Sequence, residues 1–353
     1  MIVAFYPDVL NENPYLRLLQ TMLARRDVQF IKVNEVFRNK RTFKCVSAVH
    51  FNWYEIISER KRFPAMMEFI KKCAVLLGLR MMGKRIVWTM HNKQGHEQNF
   101  TKYSKMITWL FVWLSETVII HSKLSEQLLE NQYGKKIAKK ARYVPHPHYI
   151  EVYGGGVSTS CPSEATPLRL LFLGAVRPYK NIELLLDVVE QFEKDVFFTI
   201  AGKPLNTEYQ KLITERCAPF KNIHLKLEYI EDREIPGLIG SHDLLILPYD
   251  VTSSLNSGSV ILAASYGRSV ICPAIGTVLD FENKAMLFTY TYLTPADHFQ
   301  QLTRVVSKAI ELKRRQPDVF IQWGKCLLDE VRQSNNERII ATRLYDVYSG
   351  VGR

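Results

Sequence analysis

The sequence predicts an α/β chain of two doubly wound domains, and three observations predict it. Short apolar runs alternate with amphipathic helical stretches through the first 150 residues. The rhythm breaks at a segment rich in Gly, Ser, Thr and Pro, from Gly154 to Pro167, and then restarts. At 353 residues with 47% hydrophobic content, the chain is also longer than one core ordinarily supports. The expected division is a first domain over residues 1–150 and a second over residues 151–353, with the linker between them.

In the first domain the expected strands are Ile2–Tyr6, Phe30–Val33, Cys45–Phe51, Arg85–Met90 and Thr117–His121. The helices between them are Pro14–Arg26, Pro64–Leu79, Phe100–Leu114 and Lys123–Tyr133. The second domain offers strands at Leu168–Leu173, Val196–Ala201, Ile223–Leu227, Leu244–Pro248 and Ser269–Cys272, with helices such as Ile182–Lys194 and Glu208–Cys217. A last amphipathic helix over Asn335–Val347 carries Ile339, Ile340, Leu344 and Val347 at helical spacing, so it can pack back across the linker onto the first domain.

The net charge of +12 is unevenly placed. Residues 1–150 hold 25 Lys and Arg against 11 Asp and Glu, a surplus of 14, whereas the remainder is close to balance. No recognition-helix, RNP or zinc-finger pattern accompanies the basic domain, so nucleic acid is not the expected partner. An anionic membrane surface is. The stretches Phe63–Met82 and Phe100–Leu114 are apolar on more than one helical face and flanked by cations, yet too short to span a bilayer. They suggest peripheral attachment at the inner face of the cell membrane. Six scattered cysteines without CxxC spacing argue against a zinc site and a disulfide framework, and for a reducing cytoplasm. No metal is expected, because His91, His96, Glu97 and His121 lack ligand spacing.

Two segments of the second domain carry chemistry. Leu170–Leu173 is a buried strand ending at Gly174, with Arg177 and Lys180 before an apolar-periodic helix, so two cations sit at a strand's carboxyl end, where α/β sheets bind ligands. An isolated Arg-x-x-Lys is ordinarily an exposed pair; its place after a strand end gives it meaning. Ser257, Gly258 and Ser259 open a second helix, whose free N–H groups and dipole favour phosphate. Together they predict a diphosphate clamp. In the first domain, His91, Asn92, His96 and Glu97 cluster after a strand.

These motifs identify a resemblance to the GT-B glycosyltransferases, in particular the family-4-like group that includes bacterial exopolysaccharide mannosyl- and glucosyltransferases. Gly174, Arg177, Lys180 and Asn181 match its Gly-x-x-Arg-x-x-Lys-Asn pattern, and residues 91–97 resemble its His-Asn-x-x-x-His-Glu segment. The resemblance implies two Rossmann-like domains facing a central cleft, and a hexosyltransferase that takes a GDP- or UDP-linked sugar, GDP-mannose being favoured. It implies no further cofactor and a lipid-linked or polysaccharide-precursor acceptor. Donor-binding residues would be Gly174, Arg177, Lys180, Asn181, Ser253, Asn256, Ser257, Gly258 and Ser259; His91, His96 and Glu97 would be catalytic. Many retaining members carry two glutamates where this chain has Ser254 and Leu262, a departure that weighs against retention and leaves inversion open. Two alternatives keep the clamp: a sugar-nucleotide epimerase of the same fold, and an inactive nucleotide-sugar-binding scaffold subunit.

Overall fold

The computed structural model describes residues 1–7, 13–59, 61–93, 101–154 and 167–351. It separates into two units. One comprises Met1–Pro147, Thr252–Asn256 and Asn335–Arg353; the other comprises His148–Val251 and Ser257–Ser334. The Gly154–Pro167 linker lies almost wholly outside the described residues.

In the N-terminal unit the chain runs β1 (Ile2–Tyr6), α1 (Pro14–Ala24), β2 (Gln29–Lys32), α2 (Lys40–Cys45), β3 (Val46–Asn52), α3 (Arg62–Met81), β4 (Ile86–Met90), α4 (Thr101–Leu114), β5 (Thr117–Ile120), α5 (Lys123–Tyr133), α6 (Lys135–Ala138) and β6 (Ala141–Tyr143). All six strands are parallel, in the order β2-β1-β3-β4-β5-β6. Central strands are apolar along both faces, as a sheet covered by helices on each side requires; every residue of β4 is buried. Val3, Phe5, Ala48, Val87 and Ile119 face one core, and Ala4, Val49, Phe51, Trp88 and Val118 face the other, the two-residue alternation of a strand. Asn13 caps α1 through the Tyr15 N–H, and Pro14 follows at the first turn, where its missing N–H costs nothing.

The terminal helix Glu337–Ser349 belongs to this unit, burying Ile340, Ala341, Leu344, Val347 and Tyr348 in the first of these cores. Its last-turn carbonyls accept from Arg85, whose Nη1 and Nη2 lie 2.9 and 2.8 Å from the oxygens of Tyr348 and Val347. A cation at a helix C-terminus meets both orphan carbonyls and the negative dipole end.

The second unit continues with β7 (Leu168–Leu173), α7 (Ile182–Val189), β8 (Val196–Ala201), α8 (Thr207–Cys217), β9 (Ile223–Lys226), α9 (Ile235–Gly240), β10 (Leu244–Ile246), α10 (Gly258–Ser265), β11 (Ser269–Pro273), α11 (Gly276–Leu279), β12 (Phe288–Tyr290), α12 (Pro295–Arg315) and α13 (Val319–Ser334). Its six strands are again parallel, in the order β12-β11-β10-β7-β8-β9. That order reverses direction between β7 and β10, so the crevice at their carboxyl ends is the topological switch point of the sheet. The expected strand Leu244–Pro248 stops at Ile246, and the expected helix Ile182–Lys194 tightens into a 3₁₀ turn at Glu190–Phe192. No described helix is long and apolar enough to cross a membrane.

Candidate donor and acceptor sites

The switch point of the second unit gathers most of the expected donor group. Gly174 follows β7 at a φ of +142°, a conformation open to glycine, and Arg177 and Lys180 come next. Asn181 adopts the left-handed conformation (φ 55°, ψ 43°), which ends the 3₁₀ turn Pro178–Lys180 and starts α7. Its side-chain Nδ2 donates to the Pro248 carbonyl at 2.7 Å, tying the loop after β7 to the loop after β10. The tie brings Tyr249 under the lysine: Lys180 Nζ lies 4.4 Å from the centre of the Tyr249 ring and 5.3 Å from that of Tyr179.

Among the described residues neither Arg177 nor Lys180 pairs with a carboxylate. Two cations at a switch point, one resting on aromatic faces rather than on an acid, keep their charge available to a ligand. Lys180 also acts on the buried Cys272 thiol, whose pKa is raised by burial and drawn back by the nearby ammonium.

Opposite them, Ser257 caps α10, its Oγ accepting from the Val260 N–H at 3.3 Å. Tyr249 Oη lies 2.9 Å from Ser257 Oγ, and the Ser257 N–H donates to Thr277 Oγ1 at 2.8 Å. Gly258 and Ser259 form the first turn of α10, the end of a helix that favours anions.

Ser253 and Asn256 are placed with the N-terminal unit, beside His91. The Ser253 carbonyl accepts from the Lys93 N–H at 3.1 Å, and Asn256 Nδ2 donates to the His91 carbonyl at 3.1 Å. Asn256 Oδ1 is buried with no hydrogen-bond partner among the described residues. His96 and Glu97 lie outside the described residues.

His91 ends β4 and is 8% exposed. Asn52 Nδ2 donates to the Tyr6 carbonyl at 3.2 Å, which turns Asn52 Oδ1 toward His91 Nε2 at 3.0 Å. An amide oxygen only accepts, so Nε2 carries the proton and Nδ1 carries the lone pair. Nδ1 makes no hydrogen bond to a described residue. Trp53, in the left-handed region at φ 52°, stacks on the imidazole with centroids 4.0 Å apart and planes at 17°. Burial, then the neighbouring His121, His146 and His50, hold the His91 pKa well below the usual histidine range, so it is neutral at ordinary pH.

The surrounding histidines are satisfied structurally. His121 Nδ1 donates to the Val144 carbonyl at 2.7 Å and Nε2 faces the Tyr15 hydroxyl at 3.0 Å. His50 sits between Tyr348 and Thr89 at 2.6 and 2.7 Å. Among the described residues no group of three or more His, Cys, Asp or Glu is placed to hold a metal ion.

Tyr249, Tyr179, Thr277, Asn52 and Trp53 are members of these sites that local sequence pattern does not single out. The available signal for Tyr249 and Asn52 is their position at or just beyond the end of a buried strand.

No family model matches the chain. It is 26% identical over 275 residues to the GDP-mannose:glycolipid 4-beta-D-mannosyltransferase of Xanthomonas campestris pv. campestris, covering 74% of this chain and 70% of that protein. A shorter match, 29% identical over 118 residues and 33% of this chain, is to the D-rhamnosyltransferase WbpZ of Pseudomonas aeruginosa. Among solved structures, Anabaena HepE in complex with UDP and glucose superposes with a TM-score of 0.70 at 15% identity, covering 99% of this chain and all of that one. Sucrose-phosphate synthase from Thermosynechococcus elongatus gives a TM-score of 0.71 at 13% identity over 99% of this chain and 98% of that one. With two six-stranded parallel sheets on two units, the fold is GT-B.

Proposed function

We propose that this chain, a glycosyltransferase of the GT-B fold, moves a mannosyl residue from GDP-mannose to a glycolipid at the cytoplasmic face of a membrane, in the assembly of an exopolysaccharide precursor. The reading is carried by Arg177 and Lys180, two cations at the switch point of the second sheet that pair with no carboxylate among the described residues. They suit a nucleoside diphosphate, and the match to a GDP-mannose-dependent relative over 74% of the chain favours mannose.

The chemistry follows from these parts. An acceptor hydroxyl attacks the anomeric carbon, a new C–O bond forms, and the bond to the diphosphate breaks with its electron pair passing to GDP. Arg177, Lys180 and the N–H groups opening α10 neutralise that departing charge, the kind of fixed donor whose removal costs about 3–4 kcal/mol. His91 Nδ1, neutral and unprotonated, takes the hydroxyl proton. The unmet Asn256 Oδ1 beside it suits a sugar hydroxyl.

Inversion fits both the β linkage in the relative's name and the residues Ser254 and Leu262, which put no carboxylate where retaining members of the resembled group carry one. The basic surplus of residues 1–150 suits an anionic leaflet, which attracts each Lys or Arg near its surface by about 1 kcal/mol.

The test is incubation with GDP-mannose or UDP-glucose and a bacterial lipid extract, read by mass spectrometry. A lipid heavier by one hexose with GDP-mannose alone is the expected product. Transfer from UDP-glucose only, or sugar isomerisation without acceptor, would overturn the reading.

A further inference from the structure

Helices α3 and α4 enclose a feature that donor binding and proton transfer leave unused. Phe69, Ile70, Cys73 and Leu77 of α3 face Met106 and Trp109 of α4 across a groove of about 780 Å³. Its walls are apolar apart from Lys105. Trp109 stays 53% exposed although it is large and apolar, and Ile70, Leu77 and Met106 are exposed to a similar degree. Phe69 stacks on Tyr103 at one level of the groove, with ring centroids 4.8 Å apart. A contiguous apolar face of this kind ordinarily marks a binding surface.

The charges beside it select the occupant. Of the cations on these helices Lys105 lines the groove, with Lys102 one turn earlier on α4, whereas Lys71 and Lys72 line a separate cavity with Glu68, which pairs with Lys72 at 2.7 Å. A groove lined by carbon and bordered by Lys105, which pairs with no carboxylate among the described residues, fits a hydrocarbon chain whose head group is anionic. Along the helix, Phe69 to Leu77 spans eight residues, about 12 Å at 1.5 Å per residue. An extended carbon chain advances about 1.2 Å per bond, so roughly ten carbons fill that length.

We infer that the groove between α3 and α4 holds one hydrocarbon chain of the anionic lipid acceptor, drawn out of the bilayer beside Lys105. This rests on the glycolipid-acceptor reading above and adds to it a site on this chain.

The protein carries its own reporter. Cys73 lines the groove, whereas Cys45 and Cys326 are exposed elsewhere and serve as references. The experiment measures alkylation of the three thiols by a small maleimide, with alkyl phosphates of six to sixteen carbons as probes and inorganic phosphate as the control. The expected result is protection of Cys73 alone, with affinity rising about fourfold per added methylene up to about ten carbons and levelling off beyond. Ala74→Trp, at an exposed position that projects into the groove, is expected to abolish the protection without unfolding the protein, as circular dichroism checks. Chain-independent reactivity of Cys73, protection by inorganic phosphate, or protection that coincides with dimerisation would overturn the inference.

A parallel assay of mannosyl transfer to the lipid extract separates the two claims. Transfer to lipid without Cys73 protection leaves the acceptor reading and removes the groove. Cys73 protection with transfer confined to water-soluble sugars removes the acceptor reading and leaves a chain-binding groove.

Discussion

A Cβ placed on Gly202 would stand 1.9 Å from the carbonyl oxygen of Gly174. The two glycines follow β8 and β7, both at positive φ (+146° and +142°), and the Gly174 N–H donates to the Ala201 carbonyl at 3.0 Å. Their contact lets neighbouring strands end side by side, so that the loop carrying Arg177 and Lys180 leaves the sheet at the switch point. Gly202→Ala is expected to destabilise the second unit by roughly 2–4 kcal/mol, through backbone strain and overlap, and to weaken nucleotide binding with it. Thermal unfolding with and without GDP checks this.

Lys180 gives a second prediction. Lys180→Ala is expected to lower kcat/KM for GDP-mannose by about 10²- to 10³-fold, since it removes a fixed cation from the leaving diphosphate. Tyr249→Leu keeps the cation and removes the ring beneath it, worth about 1 kcal/mol, or roughly fivefold. Steady-state kinetics of the two variants should rank them in that order.

The Asn52–His91 pair predicts a change in pH dependence. Asn52→Asp still accepts from His91 Nε2 but sets a negative charge against the ring, favouring the imidazolium, so the acid limb of the kcat profile should move to higher pH. Asn52→Leu removes the acceptor and should lower kcat across the whole range. An unchanged profile in the aspartate variant would remove His91 as the base.

The buried histidines also set acid stability. Burial lowers the pKa of His50 to about 3, of His121 to about 4 and of His146 to about 3, against an ordinary value near 6.5. The unfolded chain therefore binds more protons between those limits. Their contribution to stability is present in full above about pH 6.5 and declines as pH falls toward 4, by about 1.4 kcal/mol per pH unit for each histidine. Urea midpoints measured from pH 7.5 to 4.5 should fall accordingly, and His50→Gln should flatten the slope.

Much of this fold is legible in the sequence because its strands are buried on both faces. β7 and β8 occupy Leu168–Leu173 and Val196–Ala201, the bounds that their apolar runs mark. The position of Arg177 and Lys180 is legible for a similar reason: the motif is local and directly follows β7. Helices α12 and α13 are less so, since their apolar positions are spread among many charged residues. Tyr249, Gly202 and Asn52 join their sites only through strand order, which no local spacing reveals. Ser253 and Asn256 precede Ser257 directly in the chain, yet the division between units falls after Asn256, and they accompany His91.

The measurement that bears most directly on the donor clamp is calorimetric titration of GDP, UDP and ADP into the wild type, Arg177→Ala and Lys180→Ala. GDP is expected to bind the wild type more tightly than the other two nucleotides, and both variants, folded by circular dichroism, should lose that binding. Folded wild type that binds none of the three, or variants that bind GDP as tightly as it does, would contradict the clamp.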